Sequence, residues 1–161
     1  MNNPYSIVFQ KEAQSAPLKD LLDNFSIVCT SFPYARNVDT KELPKNDWFD
    51  ENGEDVFIPP SVKFQAYDIT IGLCYCGVKG TGLAKINSLR NYLSGVSDNC
   101  ASMKIYNSHT GFGRKGVYLK SFGEMEFSVL NGNEIIEFDI TLRVTDPATD
   151  ISMNSSNTAL V

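Results

Sequence analysis

The sequence predicts an α+β domain that is mainly β: an antiparallel β-sandwich or open barrel with one flanking amphipathic helix at about residues 82–94. Three observations predict it. Residues 134–147 alternate apolar and polar side chains, with Ile136, Phe138, Ile140, Leu142 and Val144 on one parity and Glu137, Asp139, Thr141, Arg143 and Thr145 on the other. That period of two belongs to a strand with one dry and one wet face. Leu83, Ile86, Leu89 and Leu93 recur once at helical spacing, opposite Lys85, Arg90 and Asn91. Several shorter β-rich runs follow one another across turn residues, with no βαβ alternation that would call for a parallel sheet.

The elements follow in order. Residues 5–9 read as a first strand, and residues 17–23 as about two turns of helix with Pro17 at its first position. Residues 25–32 form a β-rich run stopped by Pro33. Residues 37–60 read as a long acidic loop with a tight turn at Glu51, Asn52 and Gly53. Loops of that length are uncommon in compact domains and usually either have a task or are disordered. Residues 62–76 read as a long strand whose apolar parity switches between Ala66 and Tyr67, the mark of a bulge. A flexible connection at 77–82 leads to the helix, which Thr81 or Gly82 caps and Gly95 stops.

Residues 101–106 then form a strand, and 107–116 a glycine-rich basic loop. Residues 116–122 and 124–130 are two strands, or one kinked at Gly123. Asn131 and Gly132 supply a hairpin turn that accepts positive φ, and the long alternating strand follows until Asp146 and Pro147 close it. With 161 residues the chain is one domain, residues 1–150, and the Ser/Asn/Thr-rich residues 151–161 read as a flexible tail.

Composition narrows the function. A formal charge of −5 and a pI near 4.8 argue against a surface that grips nucleic acid, so no specific nucleic-acid binding is expected. Residues 1–5 lack the basic start and apolar stretch of a signal peptide. No run approaches the roughly 20 apolar residues of a span, so no membrane partner is expected. Cys29, Cys74, Cys76 and Cys100 lack the paired spacing of a zinc site, and the single histidine is His109, so buried free thiols are expected and no cofactor or metal. The glycines of 77–82 lack the Lys-Ser/Thr of a phosphate loop, and Asp47, Asp50, Asn52 and Asp55 miss the calcium-loop pattern around Gly53. His109 reads as a solvated loop residue.

Two charged features remain. Arg114 and Lys115, among Gly111, Gly113 and Gly116, form the main basic spot, and the acidic loop carries Trp48, Asp50 and Glu51. Opposite charge on two separate loops suits a head-to-tail contact between copies that closes into a ring.

The run 46–55 (Asn-Asp-Trp-Phe-Asp-Glu-Asn-Gly-Glu-Asp), the strand ending at Gly77, the helix, and the last strand running into Val144, Thr145, Asp146 and Pro147 resemble tail proteins of tailed bacteriophages and prophages. The likeness is to the distal tail protein and tail-tube group, and covers most of residues 40–150. The resemblance implies a β-sandwich with a flanking helix, assembling with itself as a hexameric ring and with other tail proteins around a DNA passage. It also implies synthesis in the host cytoplasm and a place in the virion tail. On that picture Glu137, Asp139 and Arg143 face a neighbour or an acidic lumen that DNA passes without sticking. Two other classes are kept open. A small carbohydrate- or receptor-binding β-sandwich would expose Tyr34, Trp48, Phe49 and Phe57. A cell-wall hydrolase would need a catalytic constellation that the sequence does not assemble.

Overall fold

A computed structural model describes residues 6–33 and 38–161. Its centre is the alternating strand of the sequence. β10 (Asn133–Val144) pairs antiparallel with β6 (Tyr67–Val78) along the whole length of both, from Asn133 opposite Val78 to Val144 opposite Tyr67. Ile136, Phe138, Ile140, Leu142 and Val144 are all buried, as the alternation demands. From this pair one antiparallel sheet spreads both ways. β3 (Ile27–Ser31) flanks β6, while β8 (Phe112–Phe122) and β9 (Glu126–Leu130) share the other side of β10. β7 (Met103–Asn107), β1 (Ile7–Lys11) and the three-residue β2 (Leu18–Asp20) complete the order β2-β1-β7-β8-β10-β6-β3.

The sheet curls into a half-barrel, the open-barrel form of the expected class. α2 (Gly82–Ser94) packs onto β6, β8 and β10 and fills the curve with Ile86, Leu89, Tyr92 and Leu93. At its start the helix comes so close to the sheet that a Cβ on Gly82 would collide with Ile136, Glu134 and Tyr75. Glu134, on the inner parity of β10, is buried there and accepts a hydrogen bond from Gly80 N–H. The helix expectation holds in extent but not in every contact: Leu83 is 54% exposed, while Tyr92 joins the core. Thr81 makes no side-chain cap and instead meets the Tyr75 hydroxyl.

Several segments differ from the sequence reading. Residues 17–23 do not form the expected helix: Leu18–Asp20 pair with β1, and α1 (Leu21–Phe25) begins one residue later. The cause is Asp20, whose carboxylate accepts from Leu22 N–H at 2.8 Å and Asp23 N–H at 3.1 Å and so sets the helix start. The strand expected at 62–76 divides at its parity switch. Residues 62–66 lie beyond the end of β10 and, among the described residues, have no neighbour in the large sheet and bridge only to Thr40 through Phe64. The acidic segment, of which Asn37 lies outside the described residues, holds a small hairpin of β4 (Lys45–Asn46) and β5 (Asp55–Val56). The 107–116 loop is much shorter than expected, since β8 already starts at Phe112. Residues 151–161 fold back rather than fray. Ile151 and Leu160 are buried, Leu160 N–H donates to Gln10 Oε1 at 2.8 Å, and Lys104 Nζ donates to Leu160 C=O at 2.7 Å.

Candidate contact surface

The polar parity of β10 forms the convex face of the half-barrel, and its groups divide in two. Arg143 Nη1 donates to Asp68 Oδ1 at 2.9 Å, and Lys120 Nζ binds the other carboxylate oxygen. Those contacts hold the Asp68 carboxyl below its ordinary value, the hydrogen bond from Lys120 contributing most and that from Arg143 next. Thr70 and Thr141 hydroxyls meet at 3.2 Å beside them. This end gathers two cations around one carboxylate, so Arg143 does not act with Glu137 and Asp139 as one acidic group.

The other end is acidic. Glu137 stands directly across from Glu126 of β9 and from Cys74 of β6, and Asp139 lies two residues further along. Like charges opposite one another on a sheet destabilise the pairing. Among the described residues none of these three carboxylates forms an ion pair. Partial burial pushes the Cys74 thiol up, and the Glu137 charge adds to the effect. The four cysteines are free, as expected, but not buried: Cys76 is exposed and the other three are half-buried.

Arg114 and Lys115 do not lie in the glycine-rich basic loop expected at 107–116. Both lie within β8, where the 4%-exposed Arg114 pairs with Asp150, donates to Gly113 C=O at 2.9 Å and to the Tyr67 hydroxyl at 3.3 Å, and packs 5.1 Å from the Phe112 ring. Lys115 sits 3.7 Å from Asp146. The pair clamps the C-terminal segment to the sheet. Glycine content made a loop of this stretch in the sequence, whereas the long ladder along β7 and β10 makes it a strand.

Trp48, Asp50 and Glu51 lie in the connection of the β4–β5 hairpin, which pairs with no strand of the large sheet. Trp48 Nε1 donates to Asp55 Oδ2 at 3.2 Å, and Lys45 pairs with Glu54 at 2.9 Å. Between these braces Phe49 stands 100% exposed, with Phe57 and Ile58 also largely bare. Tyr34, the fourth member of the aromatic cluster expected from sequence, lies outside the described residues.

Two features have no local signal in the sequence. The first is the free edge of β9. Leu130 and Asn133 flank the two-residue turn at Asn131 and Gly132, so Leu130, Ser128 and Glu126 bond to β10 while the backbone groups of Phe127 and Val129 point outward. All five residues of β9 are exposed, Phe127, Val129 and Leu130 among them. Alternation alone could not reveal this, because β8 ends at Phe122 and leaves β9 with β10 as its one neighbour among the described residues.

The second is a cavity of about 660 Å³ between the β1–β2 connection and α2, with a largely apolar wall that includes Ala16, Pro17, Phe25 and Tyr92. Buried Lys11 crosses its floor, 4.6 Å from the Tyr92 ring and 3.7 Å from Asp98, and donates to Cys100 C=O. Burial pulls the Lys11 ammonium below its ordinary value and pushes the Tyr92 phenol up. The Tyr92 hydroxyl is buried without a hydrogen-bond partner among the described residues.

Among the described residues no three His, Cys, Asp or Glu side chains gather as metal ligands, and no helix is long and apolar enough to cross a membrane. The described residues present four surface features: a convex face acidic at one end, the apolar edge of β9, the braced aromatic arm of the β4–β5 hairpin and the cavity. In comparison with known proteins, no family model matches the chain and no curated protein is similar to it.

Proposed function

We propose that this protein is a non-enzymatic structural component of a phage or prophage tail, self-associating into a ring, hexameric by the resemblance, or a tube around a passage for DNA. The observation that carries the reading is the free edge of β9. Phe127 and Val129 offer exposed apolar side chains together with backbone groups unpaired among the described residues, a combination that solitary proteins usually cover, charge or shorten. The acidic end of the convex face, Glu126, Glu137 and Asp139, is in keeping with a lumen that repels DNA phosphates. Sedimentation and negative-stain microscopy test the reading, on the chain alone and mixed with other tail proteins. Rings, tubes or concentration-dependent oligomers are expected; a monomer under both conditions would sink it.

The exposed aromatics of the arm favour a second reading, a binding module for a carbohydrate or receptor. Glycan-array binding that is lost with Trp48→Ala, from a chain that stays monomeric, would favour that reading over the first.

A further inference from the structure

The arm and the cavity are complementary. The arm tip places Trp48 and Phe49 between Asp47 on one side and Asp50 and Glu51 on the other, all exposed. Its braces hold that shape in advance, so little order has to be imposed on binding. Full exposure of Phe49 means that the arm does not occupy the cavity of its own chain. The cavity, at about 660 Å³, falls within the roughly 300–1,000 Å³ typical of ligand pockets. Its Phe25, Tyr92 and Pro17 walls suit aromatic side chains.

Charge sets the orientation. Lys11 already has Asp98 and the Tyr92 ring as partners, whereas Lys19 at the rim forms no ion pair among the described residues. Asp98 lines the same cavity and repels an acidic tip, which leaves the Lys19 side as the favourable approach.

We infer that the arm tip of one copy, Trp48 and Phe49, seats in the cavity between the β1–β2 connection and α2 of a second copy of this chain. The inference rests on the self-association proposed above and names its contact. Donor and acceptor are different patches, so the contact is head-to-tail and generates a ring when the rotation closes. An aromatic anchor inside a desolvated pocket, ringed by polar contacts, is the usual form of an interface hot spot.

The test replaces Phe49 by the photo-cross-linker p-benzoylphenylalanine in the full chain and irradiates a mixture of isotope-labelled and unlabelled copies. Cross-links from position 49 to residues 11–25 or 88–98 of a second copy are expected. In parallel, Phe49→Ala should raise the dissociation constant of self-association at least tenfold by sedimentation. Lys19→Glu should weaken it too, and adding Asp47→Lys with Asp50→Lys should restore it. Cross-links elsewhere in an assembled species, or association unchanged by Phe49→Ala, would overturn this contact and leave the proposed function standing. So would a small molecule retained in the cavity and seen by native mass spectrometry of the assembled protein. A wild-type chain that associates under no condition would remove both.

Discussion

At the scale of single residues, Asp68 shows how a wet sheet face can still be organised. Its carboxylate joins Lys120 of β8 to Arg143 of β10, three strands in one exposed network. The folded Asp68 value lies below the ordinary 3.8. Its stabilising contribution is therefore present above the unfolded value and is lost as pH falls through the folded one. Asp68→Asn should flatten the acid limb of stability against pH in urea titrations between about pH 6 and pH 2. The loss at neutral pH should stay within about 1 kcal/mol, because the network is solvent-exposed. An unchanged acid limb would show that Lys120 and Arg143 do not hold this carboxylate.

The opposite case is Arg114, the same residue type as Arg143 yet almost fully buried. Its place depends on Asp150, 36 positions away, and on Tyr67, 47 positions away. Neither neighbour is visible from Arg114's local sequence, which looked like a basic loop.

At the scale of elements, α2 carries the sharpest contrast. Leu89 is fully buried against the sheet, whereas Leu83, one of the four leucine and isoleucine positions that mark the helix in sequence, is largely exposed. Leu89→Ala should cost about 2–5 kcal/mol in denaturant unfolding, and Leu83→Ala less than about 0.5 kcal/mol. Equal losses at both positions would mean that the first turn of the helix also packs. The position of that turn is set by the Gly82 approach to Ile136 and Tyr75, a contact between elements that helical periodicity does not encode. The same reasoning applies to β9: its turn at Asn131 and Gly132 was plain in the sequence, but the missing second neighbour was not.

At the scale of the whole molecule, the C-terminal segment acts as a strap. Ile151 N–H reaches Gly113 C=O at 3.4 Å, and Met153 bridges to Leu160, whose side chain is buried. Removing residues 151–161 should therefore destabilise the domain by at least about 2 kcal/mol in thermal or urea unfolding, since Ile151 and Leu160 both leave buried sites. Unchanged stability would mean that the segment frays, as its polar composition suggested.

Much of the architecture was legible because it depends on local chemistry. The period-two pattern of β10, the helical spacing of α2 and the asparagine–glycine turn each follow from backbone geometry acting on neighbouring residues. Those signals sufficed for the α+β, mainly β class and for the dry and wet faces of the last strand. Only the tertiary structure decided which charges are neutralised, which apolar side chains stay bare and where the sheet stops. Arg143 is paired while Glu137 and Asp139 form no ion pair among the described residues, Arg114 is buried while Phe49 is not, and the end of β8 at Phe122 leaves β9 beside β10 alone among the described strands. The physical reason is one of range. A strand's periodicity is set by residues one or two apart, whereas burial and pairing depend on partners tens of residues away whose approach is decided by the fold as a whole.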